Sequence, residues 1–359
     1  MAAHFPAPSP RKDSGETQPP LIKLDSNENP FGPSPLAIEA MQSALAGAHL
    51  YPDDDCAELR RKLADHHSVL IEQVLVTAGS TEMLALLCQT LLAPGLNAVT
   101  SERSFIIYGM AVHAVGARLM QAPMRKHKDE FDLDAIQVAI NPDTRIVFLA
   151  NPNNPTGTML DAAAVDQFLA KVPGQVVVVL DEAYYHFALQ FAALRKLQYS
   201  QSLEYVRQGA SVIVLRTFSK AHGLAGLRVG YGLGPAELLA YCARMRNTHS
   251  VAELAQVAAL AALDDRNHIT RVVSNNASQA KILTDGLSEL GHRVVPTAAN
   301  FVYCDLGEDA SLFAHRLRVE GVSVRPLNAW GAPNCIRVSI GTPEQNQIFL
   351  SAIGKIAGI

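Results

Sequence analysis

No run of about 18 consecutive apolar residues occurs in the chain, so the sequence carries no signal for a membrane-spanning helix. Neither charge is in large excess: 30 basic against 34 acidic residues leave a net charge of -4. A surface built to hold nucleic acid or an anionic membrane needs a basic excess, so this balance argues against either as the main partner. Cysteine is sparse. Cys56, Cys88, Cys242, Cys304 and Cys335 are odd in number and include no C-x-x-C pair. They point away from a disulfide framework and toward a reducing cytoplasm, with the thiols packed as small apolar groups. There is no H-E-x-x-H, and the helical pair His66 and His67 lacks metal-ligand spacing, so no metal is expected. Tryptophan occurs once, at Trp330. Residues 1–20 are Pro-rich and polar, lack the apolar core of a signal peptide, and read as a mobile arm.

Apolar residues are plentiful. At 48% hydrophobic and 18% charged, 359 residues can bury a sizeable core, which excludes disorder for most of the length and suggests about two domains. Short β-branched runs alternate with helical stretches: QVLVTA (73–78), NAVTS (97–101), TRIVFLAN (144–151), QVVVVLDE (175–182), SVIVLRTFS (211–219) and LRVGYGL (227–233). Continuous apolar runs of this kind indicate parallel strands covered on both faces, hence an α/β fold. Polar motifs gather at four strand ends: AGST (78–81), NPNNPTG (151–157), DEAYY (181–185) and TFSK (217–220). In such sheets the site lies at the carboxyl ends of the strands. Beyond residue 250 the texture changes to a long Ala/Leu helix, then FVYCDL (301–306), GVSVRPL (321–327) and NCIRVSIGT (334–342), which read as a smaller α+β unit.

Two residues stand out chemically. Lys220 follows an apolar strand, where desolvation lowers an amine's pKa and makes it nucleophilic; a surface lysine at a strand-to-helix turn fits the same position. Asp181 ends another strand, where a carboxylate needs a cationic partner. A protonated pyridine nitrogen serves, as does a structural pairing. AGSTE (78–82) is a strand-to-helix turn whose exposed N–H groups favour a phosphate, although Ser80 and Thr81 also suit simple N-caps. Together these residues describe pyridoxal phosphate chemistry.

The order of these motifs resembles the fold type I pyridoxal-phosphate-dependent aminotransferases, and within them the histidinol-phosphate aminotransferase family. The matching stretches are LDSNENPFGPSP (24–35), YPDDDCAELRRKLA (51–64), TAGSTEML (77–84), NPNNPTG, LDEAYY, TFSKAHGLAGLRVGY and CIRVSIGT (335–342). The resemblance implies a large domain with a mostly parallel seven-stranded sheet flanked by helices, plus a small α+β domain. The expected division is an arm (1–20), the N-terminal part of the small domain (21–45), the cofactor domain (46–250) and the C-terminal part of the small domain (251–359). It also implies a homodimer with shared sites.

By the same resemblance Lys220 forms the Schiff base with the cofactor and then moves the proton. Asp181 keeps the ring nitrogen protonated, Asn154 and Tyr184 bond the phenolic oxygen, and Tyr108 stacks on the ring. Ser80, Thr81, Thr217 or Ser219, and Arg228 hold the phosphate, which Tyr51 reaches from the partner subunit. Arg337 grips the α-carboxylate of the amino acid or glutamate. Arg325 is a candidate for the distal phosphate, and Asn27 and Glu28 lie near the substrate entrance. Trp330 either lines the pocket or covers the small domain, with covering favoured.

Three stretches depart from the family pattern: Arg103-Ser104-Phe105, Thr248-His249-Ser250, and His186. None belongs to the cofactor machinery, so they bear on the substrate. The expected reaction is ping-pong amino transfer between histidinol phosphate, or a similar amino compound, and 2-oxoglutarate. An aromatic (phenylalanine-type) aminotransferase and a decarboxylase on the same scaffold are the alternatives. A cofactor-binding transcription regulator is disfavoured, because only about 20 residues precede the match.

Overall fold

The computed structural model describes residues 21–126 and 128–357; the expected N-terminal arm lies outside them. In chain order, β1 (Ile22–Leu24) is followed by β2 (Val74–Thr77), β3 (Asn97–Ser101) and β4 (Arg118–Ala122). A short hairpin, β5 (Met124–Arg125) and β6 (Glu130–Phe131), precedes β7 (Thr144–Ala150), β8 (Val177–Asp181), β9 (Val212–Thr217) and β10 (Gly230–Leu233). The last strands are β11 (Arg293–Val295), β12 (Phe301–Asp305), β13 (Val322–Leu327) and β14 (Ala332–Ser339).

Seven strands form the larger sheet in the order β2-β10-β9-β8-β7-β3-β4. Only β10 runs antiparallel to its neighbours. Strands β8 and β9 are buried almost throughout, as parallel strands covered on both faces must be. The smaller sheet, β1-β13-β14-β12-β11, is antiparallel except for the β1–β13 pair. This is the mostly parallel α/β sheet with a smaller α+β unit that the sequence led us to expect.

Residues 21–45 divide between the two sheets. β1 pairs with β13, whereas Ala37 of the helix Pro35–Ala44 joins the core of the larger sheet, together with Ala255, Ala258 and Ala262 of the helix Glu253–Ala262. The small alanines let these two helices approach closely. Ser34 caps the first helix, and its hydroxyl also donates to Asp265 Oδ2 (2.6 Å), the cap of the 24-residue helix Arg266–Glu289. Such a cap is worth about 1 kcal/mol. A separate core, including Leu24, Leu283, Val302, Ile336 and Phe349, lies under the smaller sheet. Tyr184, Phe187, Ala221, Val272 and Phe301 pack together at the seam between the sheets. All five cysteines are free and buried.

Candidate active site

A cavity of about 720 Å³ opens on this seam at the carboxyl ends of the larger sheet's strands. Each polar strand end contributes to it. Asp181 is the last residue of β8, and Thr217 that of β9, with Ser219 and Lys220 following directly. Asn154 comes from the loop after β7. Ser80 and Thr81 begin the helix Ser80–Leu91 after β2, but the N-cap is Gly79, without a side-chain cap bond, so neither residue caps that helix. From the smaller sheet come Arg337, Arg325 and Trp330, and the segment after β1 supplies Ser26, Asn27 and Glu28.

One end of the cavity is built for an anion. Arg228 donates to Ser219 Oγ (3.3 Å) and to the Ala225 carbonyl (3.0 Å). Thr217 Oγ1 donates to Ser219 Oγ (3.0 Å) and accepts the Ser219 N–H (3.1 Å), fixing that hydroxyl. Gly79 sits at φ +78°, and a Cβ there would lie 2.5 Å from Arg228 Nη2. Only glycine lets the guanidinium settle against the start of the helix. Partial positive charge at a helix N-terminus, a guanidinium and hydroxyls together make an anion cradle.

At the centre, the Tyr108 hydroxyl donates to Asp181 Oδ2 (2.9 Å), while the Ala183 N–H donates to Oδ1 (3.2 Å). Burial pushes the Asp181 carboxyl up to about 6, against the lowering pull of these two donors. Burial, reinforced by the charge of Arg337, pulls the Lys220 amine down to about 8. Its Nζ donates to the Asn27 carbonyl (3.1 Å). Asn27 is buried at φ +55° and donates from Nδ2 to the Tyr184 hydroxyl (3.0 Å).

At the other end, Arg337 donates to Asn154 Oδ1 (2.6 Å) and to the Asp25 carbonyl (2.9 Å), and its buried Nε has no partner. Burial lowers its pKa to about 10. Among the described residues, neither Arg228 nor Arg337 holds a carboxylate within salt-bridge distance. Two cations facing one cavity with only neutral partners call for anionic ligands at both ends.

The cavity thus brings together Lys220, Asp181, Tyr184, Asn154, Ser80, Thr81, Thr217, Ser219, Arg228, Asn27, Glu28, Arg325 and Arg337. Tyr108 departs from expectation. It is fully buried, stacked on Phe148 (4.6 Å between centroids, 7° between planes), and does not line the cavity. Its hydroxyl reaches Asp181 from outside the cavity lining, and in this segment Phe105 is the aromatic that opens onto the site. Tyr51 lies apart from its own chain's cavity, 85% exposed and stacked on His249 (4.7 Å). His186 is half-buried and packs edge-on against His222 (5.0 Å), outside the cavity. Arg103 pairs with Asp129 instead of entering it. Trp330 lines the cavity rather than merely covering the small sheet.

Sequence reasoning passed over Ile106, Met110, Ser311 and Asn328, which also line the cavity. The Ser311 hydroxyl donates to Asn328 Oδ1 (3.0 Å), joining two segments of the small unit. Asn328 stands three residues after Arg325, and that proximity was the available signal.

The family model for aminotransferase class I and II matches residues 19–353. A histidinol-phosphate aminotransferase 2 of Pseudomonas aeruginosa is 45% identical, over 94% of this chain and 89% of its own length. A histidinol-phosphate aminotransferase of Moorella thermoacetica is 42% identical over 94% and 85% of the two chains. Among solved structures, the histidinol-phosphate aminotransferase of Sinorhizobium meliloti in complex with pyridoxal-5'-phosphate is similar at a TM-score of 0.85 and 28% identity, covering 94% of this chain and 91% of that one.

Proposed function

The chain belongs to the class I and II aminotransferase family, and from that premise we propose that it transfers the amino group of histidinol phosphate to 2-oxoglutarate. It is a pyridoxal-phosphate-dependent transaminase. The observation that carries the reading is one cavity holding a desolvated amine, a buried carboxylate and two arginines without carboxylate partners among the described residues.

The residues present fit the cofactor. The Arg228–Ser219 cradle, tight enough to exclude a Cβ at Gly79, suits its phosphate. Asp181 suits a protonated ring nitrogen, and the orphaned Arg337 Nε suits an oxyanion of substrate. When bound, pyridoxal phosphate supplies an electron sink for the pair released at the donor's α-carbon.

This chain's residues then have separable tasks. Ser80, Thr81, Ser219 and Arg228 bind the phosphate. Asp181, oriented by Tyr108, holds the proton on the ring nitrogen. Lys220 is the nucleophile and carries the proton at the α-carbon, because its lowered pKa leaves a share of the amine neutral near pH 7 to 8. Tyr184, held by Asn27, and Asn154 support the ring oxygen. Arg337 binds the acceptor's carboxylate in two-pronged fashion, and Arg325 the distal phosphate. Tyr51 reaches the neighbouring subunit's site in a two-fold dimer, which its exposure supports. Five buried free thiols support a reducing cytoplasm as its compartment.

The test is direct. Purified protein with pyridoxal phosphate should form glutamate from histidinol phosphate and 2-oxoglutarate. Efficient turnover of phenylalanine with none of histidinol phosphate would overturn the substrate assignment.

A further inference from the structure

The cavity has a neighbour. A second hollow of about 510 Å³ lies beside it, lined by polar residues that include Ser101, Glu102, His113 and Gln121. Phe105, Ile106, Ala329 and Trp330 line both spaces, so they form the wall between them. Half of this wall belongs to each sheet system. Phe105 and Ile106 open the helix after β3, and Ala329 and Trp330 lie in the 3-10 turn between β13 and β14.

Both halves are fixed. Phe105 packs edge-on against Tyr108 (5.6 Å), which is itself held by Asp181. The loop before it is tied to the asparagine loop: Ser104 Oγ donates to Asn153 Oδ1 (3.1 Å), and Asn153 Nδ2 donates to the Arg103 carbonyl (3.0 Å). Trp330 packs against Val295, Tyr303, Leu327, Ala332 and Cys335. A charge chain braces one half to the other. Arg103 pairs with the buried Asp129 (2.5 Å), which also pairs with Arg293 of β11 (2.8 Å). The departure Arg103-Ser104-Phe105 is therefore structural at its first two residues and opens onto the site only at its third.

Arg337 Cζ lies 6.0 Å from the Trp330 ring, so the indole stands beside the arginine assigned to the substrate's anionic group. An aromatic face favours a flat ring.

We propose that Trp330 is the specificity-determining residue for the amino donor. With Phe105 it closes the space available to the donor's side chain at a single ring. The hollow behind the wall is a latent extension that fused-ring aromatic donors would occupy if the wall were opened. This inference rests on the transaminase assignment of the cavity, not on the identity of the natural donor.

Two variants and one spectroscopic measurement test it on the cofactor-loaded enzyme. In Trp330→Ala, the ratio of kcat/KM for tryptophan to that for histidinol phosphate should rise by about tenfold or more, the scale by which a pocket's size discriminates between donors. Trp330→Phe keeps an aromatic wall, so tryptophan should stay excluded and the donor ratio should remain close to that of the wild type. As the sole tryptophan, Trp330 reports on itself, and saturating histidinol phosphate should reduce acrylamide quenching of its emission. An unchanged donor ratio in Trp330→Ala, or quenching indifferent to donor, overturns the proposal. If Trp330→Ala does not fold, Phe105→Ala opens the same wall and should move the ratio the same way. If the wild type leaves histidinol phosphate unused, the donor assignment fails by itself. The proposal is then judged on single-ring against fused-ring amino acids in the same variants.

Discussion

The Tyr108 hydroxyl lies 2.9 Å from Asp181 Oδ2, so the carboxylate at the tip of the central strand is held by a phenol. This donor opposes the burial that raises the Asp181 pKa to about 6. Tyr108→Phe should leave the fold intact and move the acidic limb of the kcat/KM profile to higher pH by about one unit, the worth of one hydrogen bond to a charged group. A limb that stays in place, measured from pH 4 to 9, would deny Tyr108 this role.

Lys220 gives a prediction about activity and a separate one about stability. Lys220→Met should cut transamination by at least ~10²–10⁴-fold, the range of a lost proton carrier alone. In the cofactor-free protein the same change should raise the melting temperature. The folded amine titrates at about 8 against an ordinary 10.5, so burying its charge opposes folding below pH 8, and that opposition fades as pH rises toward 10.5. Thermal melts at pH 6 and pH 10.5 should show a clear gain at the first and little at the second. The opposite order would mean that the amine is not buried as a cation.

Gly79 tests the cradle without removing any ligand to the phosphate. Alanine there meets a backbone conformation that costs about 1–3 kcal/mol for any side chain. Its Cβ would also press 2.5 Å from Arg228 Nη2. Displacing the guanidinium should weaken pyridoxal phosphate binding by about tenfold, or about 1.4 kcal/mol, measured by equilibrium dialysis. Unchanged affinity would place the phosphate elsewhere.

Much of this was legible because the larger sheet is parallel and covered on both faces. Its strands read as unbroken apolar runs, and the polar residue ending each run marks the site, as Asp181 and Thr217 do. What escaped depends on direction and on distance along the chain. Tyr108 lies on a helix with a weakly one-sided pattern, so nothing in the sequence says that its hydroxyl reaches Asp181. Trp330 reaches the cavity through a register shift between Pro326 and Leu327 and the short turn after it, neither of which periodicity encodes. The buried pair Glu182–Arg216 (2.8 Å) joins the ends of neighbouring strands, so each partner reads as an ordinary polar strand end. Tyr51 and His249 meet across nearly 200 positions, and only the folded chain shows that the departure at His249 supports a protruding tyrosine.

That protruding tyrosine yields the test of subunit sharing. Tyr51 is 85% exposed, yet His249 holds it from below, and the His249 N–H is fixed by Asp54 Oδ1 (2.5 Å). A rigid aromatic facing outward gains little for a lone chain but contributes when a second copy covers it. If Tyr51 serves the neighbouring site, Tyr51→Phe and Lys220→Ala should complement each other. In a mixed dimer the chain that keeps Lys220 receives an intact Tyr51 from its neighbour, so one site is whole. An equal, re-equilibrated mixture contains half hybrids with one intact site each, or about a quarter of wild-type activity. If Tyr51 served its own chain, no site in the hybrid would be whole, and the mixture would show only the average of the two parents. Mixing the two variants after mild dissociation and assaying amino transfer separates these outcomes.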